Sequence, residues 1–374
     1  MYGIYIHIPF CKSRCSYCNF YSTTFLDKRN RYVDSLCREL DLRSDYVHGE
    51  CKTVYIGGGT PSLLSFYDMG RLLKYINKVY KVSQDAEITV ECNPDDVTIA
   101  YADALKKLNV NRVSMGAQTF SDNRLKFLNR RHLSEDVLNA VRNLKSVGIN
   151  NISVDLMFGF PCETLSDWKD DLDKVIDLDV THISAYSLML EENTPLYNMV
   201  KRGRVEEIDE NLSIDMYKML VASLSNSGYE HYEISNFAKP GFRSRHNSSY
   251  WHNIPYLGIG ASAHSYDLKS RQWNISDVNE YIKNIDRGVV PFEREILDKE
   301  AMFNDMITTV MRTCEGLDLD LVSLSFGEKY RQYVLENAEK FIDSGLVELE
   351  NNHLRFNLEG IFVSDMIMSS LMIV

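Results

Sequence analysis

The stretch Tyr5-Ile6-His7-Ile8-Pro9-Phe10-Cys11-Lys12-Ser13-Arg14-Cys15-Ser16-Tyr17-Cys18-Asn19-Phe20 decides how the chain is read. Its first half is β-rich, and its second half places three cysteines at the spacing C-x3-C-x2-C. Thiolates suit iron–sulfur clusters, most of which take four cysteines. Here only three are close together, and Phe20 stands two residues past the last of them. A [4Fe–4S] cubane held by Cys11, Cys15 and Cys18 keeps one iron open for direct binding of a substrate or cofactor. The competing reading is a zinc site, which needs a fourth ligand such as His7, although zinc motifs usually pair two short-spaced couples.

Working outward, short β-rich runs alternate with amphipathic segments. Strands are expected over 3–8, 53–56, 87–91, 112–115, 152–157 and 182–187, several of them as nearly continuous apolar runs of the kind found in parallel sheets covered on both faces. Val33, Leu36, Cys37 and Leu40 share one helical face, as do Val137, Val141 and Leu144, and Leu165, Trp168, Leu172 and Val175. Six βα units in series predict an α/β fold, either a partial (β/α)6 TIM-like barrel or an open parallel sheet, with its chemistry at the C-terminal ends of the strands. This unit is expected over 1–235. Residues 236–290 read as a connecting loop region, and 239–266 in particular are rich in Gly, Ser, His, Asn and aromatics. Over 291–374 a helix at 298–312, further helical segments to 344, a hairpin from 346–349 and 354–356, and a last helix from 358 predict a winged-helix-like α+β domain.

Composition bounds the function. The chain has 374 residues, 44% of them hydrophobic and 25% charged, enough for a full core without disulfide or metal staples. A net charge of -12 argues against general nucleic-acid binding, and in 291–374 seven Lys and Arg face sixteen Asp and Glu, which argues against a DNA-reading winged helix. No apolar run approaches the ~20 residues of a membrane span, and the N-terminus lacks the pattern of a signal peptide. A cytoplasmic protein with reduced thiols is expected, with Cys37, Cys51, Cys92, Cys162 and Cys314 as small buried residues.

Chemistry-bearing residues recur at the predicted strand ends. Gly57-Gly58-Gly59-Thr60-Pro61 offers bare backbone for close approach and free N–H groups for an anion. Glu91 ends the third strand, where a carboxylate suits ribose hydroxyls. Gln118 follows the fourth, with Arg130 downstream. Asp155 sits within an apolar strand, so it needs a partner. Farther on, Arg245-His246-Asn247-Ser248-Ser249-Tyr250-Trp251 joins an imidazole to two large aromatics.

These motifs resemble the radical SAM superfamily. Across essentially the whole chain they are similar to the oxygen-independent coproporphyrinogen III oxidase-like (dehydrogenase) family, and within it to the haem-chaperone branch. The resemblance implies a [4Fe–4S] cluster on Cys11, Cys15 and Cys18 with S-adenosylmethionine (SAM) on the open iron. Tyr5, Gly58, Gly59, Thr60 and Glu91 would contact that SAM. Tyr17, Gln118, Arg130 and Asp155 match positions that hold a second SAM in the dehydrogenase. His-Asn-x-x-Tyr-Trp is similar to a signature of the chaperone branch. It makes His246 a candidate haem ligand, with Tyr250 and Trp251 packing on the porphyrin and His264 as a further candidate. The expected chemistry is reductive cleavage of SAM to methionine and a 5′-deoxyadenosyl radical. The expected partners are haem, an acceptor haemoprotein, and a reductase or a flavodoxin- or ferredoxin-type electron donor. The alternatives are the coproporphyrinogen III dehydrogenase and a radical SAM methyltransferase acting on a porphyrin. The dehydrogenase carries a further cysteine where this chain has Phe20, and a longer extension before its first strand. Both differences favour the chaperone and argue against dehydrogenase activity.

Overall fold

The computed structural model describes residues 1–373. The first part of the chain runs β1 (Tyr2–Ile8), α1 (Arg29–Leu42), β2 (Cys51–Gly58), α2 (Phe66–Val79), β3 (Val82–Cys92), α3 (Ile99–Lys107), β4 (Arg112–Gln118), α4 (Asp122–Phe127), α5 (Ser134–Ser146), β5 (Asn151–Phe158), α6 (Leu165–Asp177) and β6 (His182–Ser187). It continues through α7 (Pro195–Lys201), α8 (Glu210–Asn226), β7 (Glu230–Glu233), β8 (Asn236–Ala238), α9 (Arg245–Trp251), β9 (Tyr256–Ile259), β10 (His264–Tyr266), β11 (Ser270–Asn274), α10 (Val278–Asp286) and β12 (Phe292–Ile296). Strands β1 to β6 pair in sequence order and all in parallel. The predicted partial (β/α)6 barrel is therefore present. It does not close, since β12 and β7 are the free edges of one twelve-stranded sheet.

The strands are not apolar throughout, as their sequence suggested. They alternate. Ile4, Ile6, Ile8, Val54, Ile56, Val90, Val113, Met115, Ile152, Val154, Leu156 and Ile183 belong to the main hydrophobic core. The residues between them are polar and bond one another across the opposite face. Tyr5 meets His7, Tyr55 meets Glu91, Ser114 meets Asp155 and Ser153 meets His182. Since successive side chains of a strand point to opposite faces, the sheet has an apolar outside and a polar inside. The predicted helix faces supply the cover: Val33, Leu36, Leu40, Val137, Val141, Leu144, Trp168, Leu172 and Val175 are all buried in that core.

The region expected as a connecting loop, 236–290, instead extends the sheet on both sides. β8 pairs antiparallel with β6, while β9 pairs parallel with β1 and leads into the antiparallel β10, β11 and β12. Glycine within β9 lets β10 approach it closely, because a Cβ on Gly258 would lie 1.9 Å from the His264 carbonyl oxygen. The strand β12 lies within 291–374 yet belongs to this sheet. A buried polar knot fastens the extension. The carboxylate of Glu39 on α1 accepts from Gly260 N (2.8 Å), Asn274 Nδ2 (2.7 Å) and Tyr281 Oη (2.5 Å). Arg43 lies 3.5 Å from the same carboxylate and donates to the Gly258 carbonyl (2.9 Å) and Ser265 Oγ (3.0 Å). Both Glu39 and Arg43 are buried.

The remainder is α11 (Lys299–Val310), β13 (Leu317–Asp318), α12 (Leu319–Phe326), α13 (Glu328–Asp343), β14 (Val347–Glu350), β15 (His353–Phe356), α14 (Leu358–Phe362) and α15 (Ser364–Leu371). The order of helices, three-stranded sheet and hairpin is winged-helix-like, with a core of its own around Phe303, Val322, Phe341 and Leu354. It adjoins the sheet through Ile234 N to Arg312 O (3.1 Å) and Cys314 N to Tyr232 O (3.1 Å). Of the scattered cysteines, Cys37, Cys51 and Cys92 are buried, but Cys162 and Cys314 are exposed because each sits in a surface turn. Among the described residues no helix is long and apolar enough to cross a membrane.

Removing one partner of a buried ion pair leaves the other charge uncompensated, at a cost of about 3–5 kcal/mol. Glu39→Ala is therefore expected to destabilise the protein by that order in chemical denaturation. A loss below ~1 kcal/mol, the usual worth of an exposed pair, would show that the knot is not what holds β9 to β12 in place.

Candidate functional site

The cysteine loop begins where β1 ends, and backbone bonds on both sides hold it. Cys11 N donates to Thr23 O (2.9 Å), Ser16 N to Leu128 O (3.0 Å) and Leu196 N to Ser16 O (2.9 Å). Cys11, Cys15 and Cys18 line one cleft with Gly58, Gly59, Thr60, Glu91, Gln118, Arg130, Asp155 and Tyr17. Residues from five strands thus meet at one place, four of them at or just past strand ends and Asp155 within β5. The cleft encloses about 990 Å³, part of it open to solvent.

The thiols face hydrogen-bond donors. Thr60 Oγ1 points at Cys11 Sγ (3.6 Å), and Arg130 Nη1 at Cys15 Sγ (3.4 Å). Burial pushes the Cys11 and Cys18 thiols above their ordinary pKa, so loading a metal must displace protons. Among the described residues no three His, Cys, Asp or Glu side chains are placed to hold a single metal ion. A cubane differs from zinc here, because it spreads its thiolate ligands around a cage rather than drawing them to one atom. His7, the candidate fourth zinc ligand, has both ring nitrogens engaged, by the Tyr5 hydroxyl (2.9 Å) and the Tyr21 carbonyl (3.1 Å). The donor set fits a three-thiolate cluster better than zinc.

The glycine loop packs directly against this site. Gly58 has φ +112°, and a Cβ there would lie 2.6 Å from the His7 ring. A Cβ on Gly59 would lie 3.0 Å from Cys11 Sγ. Bare backbone is thus required at both positions. Glu91 supports the loop from below, accepting from Gly58 N (3.0 Å) and Tyr55 Oη (2.8 Å). Enclosure by protein lifts its carboxyl to about 7, although the Tyr55 and Gly58 donors pull the other way. The partner that Asp155 needed is Ser114 Oγ, at 3.5 Å. Gln118 adopts φ +68°, unusual for a residue with a Cβ, and its amide folds back over Gly116. Arg131, which also lines the cleft, pairs with Asp95 (3.0 Å) and Asp96 (2.9 Å), and Asp96 also takes Lys12 of the cysteine loop (3.3 Å).

Tyr5 and His246 do not line the cleft. Tyr5 lies on the interior face, bonded to His7 and stacked on Tyr55 (6.1 Å between centroids). His246 is at the opposite end of the strands. Its helix α9 is held there by Glu87 of β3, which accepts from the backbone N–H of Arg245 (3.1 Å) and of His246 (3.0 Å). The imidazole is buried at 1% exposure, with Nδ1 against Thr53 Oγ1 (2.8 Å) and Nε2 against Tyr250 Oη (2.9 Å). Burial drops its pKa to about 3, so it stays neutral. In this conformation it offers no free nitrogen to a haem iron. His264, in contrast, is exposed at the start of β10 and stacks on Trp273 (6.1 Å). Tyr55, Asn93, Ser114 and Glu87 carry much of this geometry without having been singled out in the sequence. The signal for three of them was alternation: polar residues at every second position in Thr53-Val54-Tyr55, Glu87-Ile88-Thr89-Val90-Glu91 and Arg112-Val113-Ser114.

Comparison with known proteins adds three findings. A family model described as the Radical SAM superfamily matches residues 5–175, and one described as the HemN C-terminal domain matches 297–363. The chain is 36% identical over 336 residues to the protein named Heme chaperone HemW of Bacillus subtilis, covering 88% of this chain and 87% of that one. It is 35% identical over 358 residues to the protein of the same name from Lactococcus lactis, covering 94% and 90%. Its fold is that of the coproporphyrinogen III oxidase HemN from Escherichia coli, with a TM-score of 0.86 over 99% of this chain and 89% of that one, at 21% identity.

The raised Glu91 carboxyl generates a test. Its folded value, about 7, lies above the ordinary 4.5, so the folded chain holds the proton more tightly than the unfolded one. Stability is then lost as pH rises from about 4.5 to about 7, and the loss is complete above that. In urea denaturation, the stability of the wild type relative to Glu91→Gln should fall across this window by on the order of 3 kcal/mol and stay level above it. A pH-independent difference would mean that water in the cleft solvates the carboxylate fully.

Proposed function

Because the chain belongs to the HemW family within the radical SAM superfamily, we propose that it is a haem chaperone, which binds haem and passes it to an acceptor haemoprotein. Its resident cofactors on this reading are a [4Fe–4S] cluster on Cys11, Cys15 and Cys18 and an exchangeable SAM. One observation carries the proposal: the three thiols, the glycine loop and the interior carboxylates Glu91 and Asp155 line a single cleft. When bound, the cluster would supply the electron that the sulfonium of SAM accepts, received in turn from a reductase or a flavodoxin- or ferredoxin-type donor.

The remaining work falls to side chains. Gly58, Gly59 and Thr60 admit the amino and carboxylate groups of SAM against backbone. Glu91, already fixed by Tyr55 and Gly58, orients that loop and faces the nucleoside. Tyr17, Gln118, Arg130 and Asp155 line the same cleft, where a second SAM would rest. Haem iron takes a neutral imidazole, and His246 is one. Ligation there requires Tyr250 to release Nε2 and α9 to move from the sheet. His264 reaches solvent without such a movement, so the two histidines make separable predictions.

In anaerobic haem titrations of the reconstituted protein, His246→Ala is expected to weaken the Soret band, and His264→Ala to leave most of it. Tyr250→Phe removes the hydroxyl that occupies Nε2, so it should take up haem faster than the wild type. An intact Soret band in His246→Ala together with its loss in His264→Ala would move the ligand to β10. Turnover of coproporphyrinogen III to protoporphyrinogen under the same anaerobic conditions would replace the chaperone reading with the dehydrogenase.

A further inference from the structure

We propose that Arg130 sets the reduction potential of the cluster, by donating an N–H···S hydrogen bond to Cys15 and by keeping an unneutralised positive charge beside the thiolates. The proposal rests on the reading of Cys11, Cys15 and Cys18 as cluster ligands. Three contacts define the orientation of the guanidinium. Nη2 donates to the Gly116 carbonyl of β4 (2.6 Å) and to Asn93 Oδ1 just past β3 (2.7 Å), while Nη1 reaches Cys15 Sγ (3.4 Å). The backbone of Arg130 is itself fixed, its N–H donating to Leu125 O (2.9 Å). A planar guanidinium pinned at two oxygens from different strand ends has one direction left for its other edge, and that edge meets the sulfur.

The charge matters as much as the hydrogen bond. Among the described residues Arg130 pairs with no carboxylate. Of the nearby acids, Asp95 pairs with Arg131 and accepts from the Asn93 amide, Asp96 takes Arg131, Lys12 and Ser62, and Asp155, on the same cleft, accepts from Ser114 and forms no ion pair with Arg130. The lysine of the loop, Lys12, is thereby drawn to Asp96 rather than to the sulfurs. Adding an electron to a thiolate-bound cluster increases its negative charge, and hydrogen bonds to sulfur are among the levers that raise such potentials. Inside a protein-walled cleft both effects are screened less than they would be in water. Arg130 thus acts on the cluster through Cys15. It is a positioning residue, and a purely structural staple between β4 and the cysteine loop would leave the potential unchanged.

The test uses the full chain, reconstituted anaerobically with iron and sulfide and titrated with a chemical reductant while the reduced cluster is followed by electron paramagnetic resonance. Arg130→Gln is expected to lower the midpoint, so that at the wild-type midpoint the reduced-to-oxidised ratio falls by about tenfold, a shift of about 59 mV for one electron. Arg130→Lys keeps the charge without the fork and should fall between the two. If Arg130→Gln does not load its cluster, the wild type labelled with 15N-arginine decides the question. A 15N coupling to the reduced cluster in electron–nuclear double resonance supports the contact, and its absence overturns the proposal. Equal midpoints in the wild type and in the loaded variants also overturn it. A wild type that loads no iron and sulfide instead overturns the cluster reading on which it stands.

Discussion

A parallel sheet whose inner face is polar must satisfy that face from within. Thr53, Tyr55, Glu87, Thr89, Glu91, Arg112, Ser114, Ser153, Asp155 and His182 project from strands whose other face is apolar and covered by helices. An unpaired polar group there would cost of the order of 1–3 kcal/mol. Each is therefore drawn to a particular neighbour, and the neighbours set the rest of the structure. Glu87 takes two backbone N–H groups of α9 and fixes that helix at one end of the strands. Glu91 takes Gly58 N and shapes the glycine loop at the other. Two of them are exceptions among the described residues: Arg112, with Nε and Nη1 buried and unpartnered, and Thr89, whose buried Oγ1 has no partner either.

Aromatic contacts link the two ends. The His246 ring stacks on Tyr55 at 5.0 Å and 25°, and the Tyr55 hydroxyl donates to the same Glu91 that holds Gly58. Tyr5 adds a second stack on both rings and ties them to His7. The segment proposed for haem and the loop proposed for SAM are thus two ends of one packed column, although they lie at opposite ends of the strands.

What could be read directly from the sequence was whatever has a local cause. Six strands, the helix faces that cover them, the cysteine loop and the glycine loop each follow from periodicity or from residue chemistry within a few positions. The alternation of polar residues was equally local, and was obscured only because Val, Ile and Tyr make such strands look uniformly apolar. The placement of 236–290 was not local. Its strands are short, and its position beside β1 depends on Glu39 and Arg43, more than 200 positions away in the chain. The burial of His246 likewise depends on Thr53 and Glu87, and neither residue signals a helix 160 to 190 residues later.

On the proposed haem-chaperone reading, that burial bears on how tightly haem would be held. A carrier that must surrender its haem gains nothing from an unopposed ligand. With His246 as the proposed ligand, Tyr250 would compete with the iron for Nε2, and the apparent affinity would be the intrinsic one reduced by the fraction of molecules in which α9 had opened. Loading would then saturate at the rate of opening, and unloading would be helped along as the helix returned to its place. On that reading the hydrogen bonds that hide the imidazole would favour release over storage.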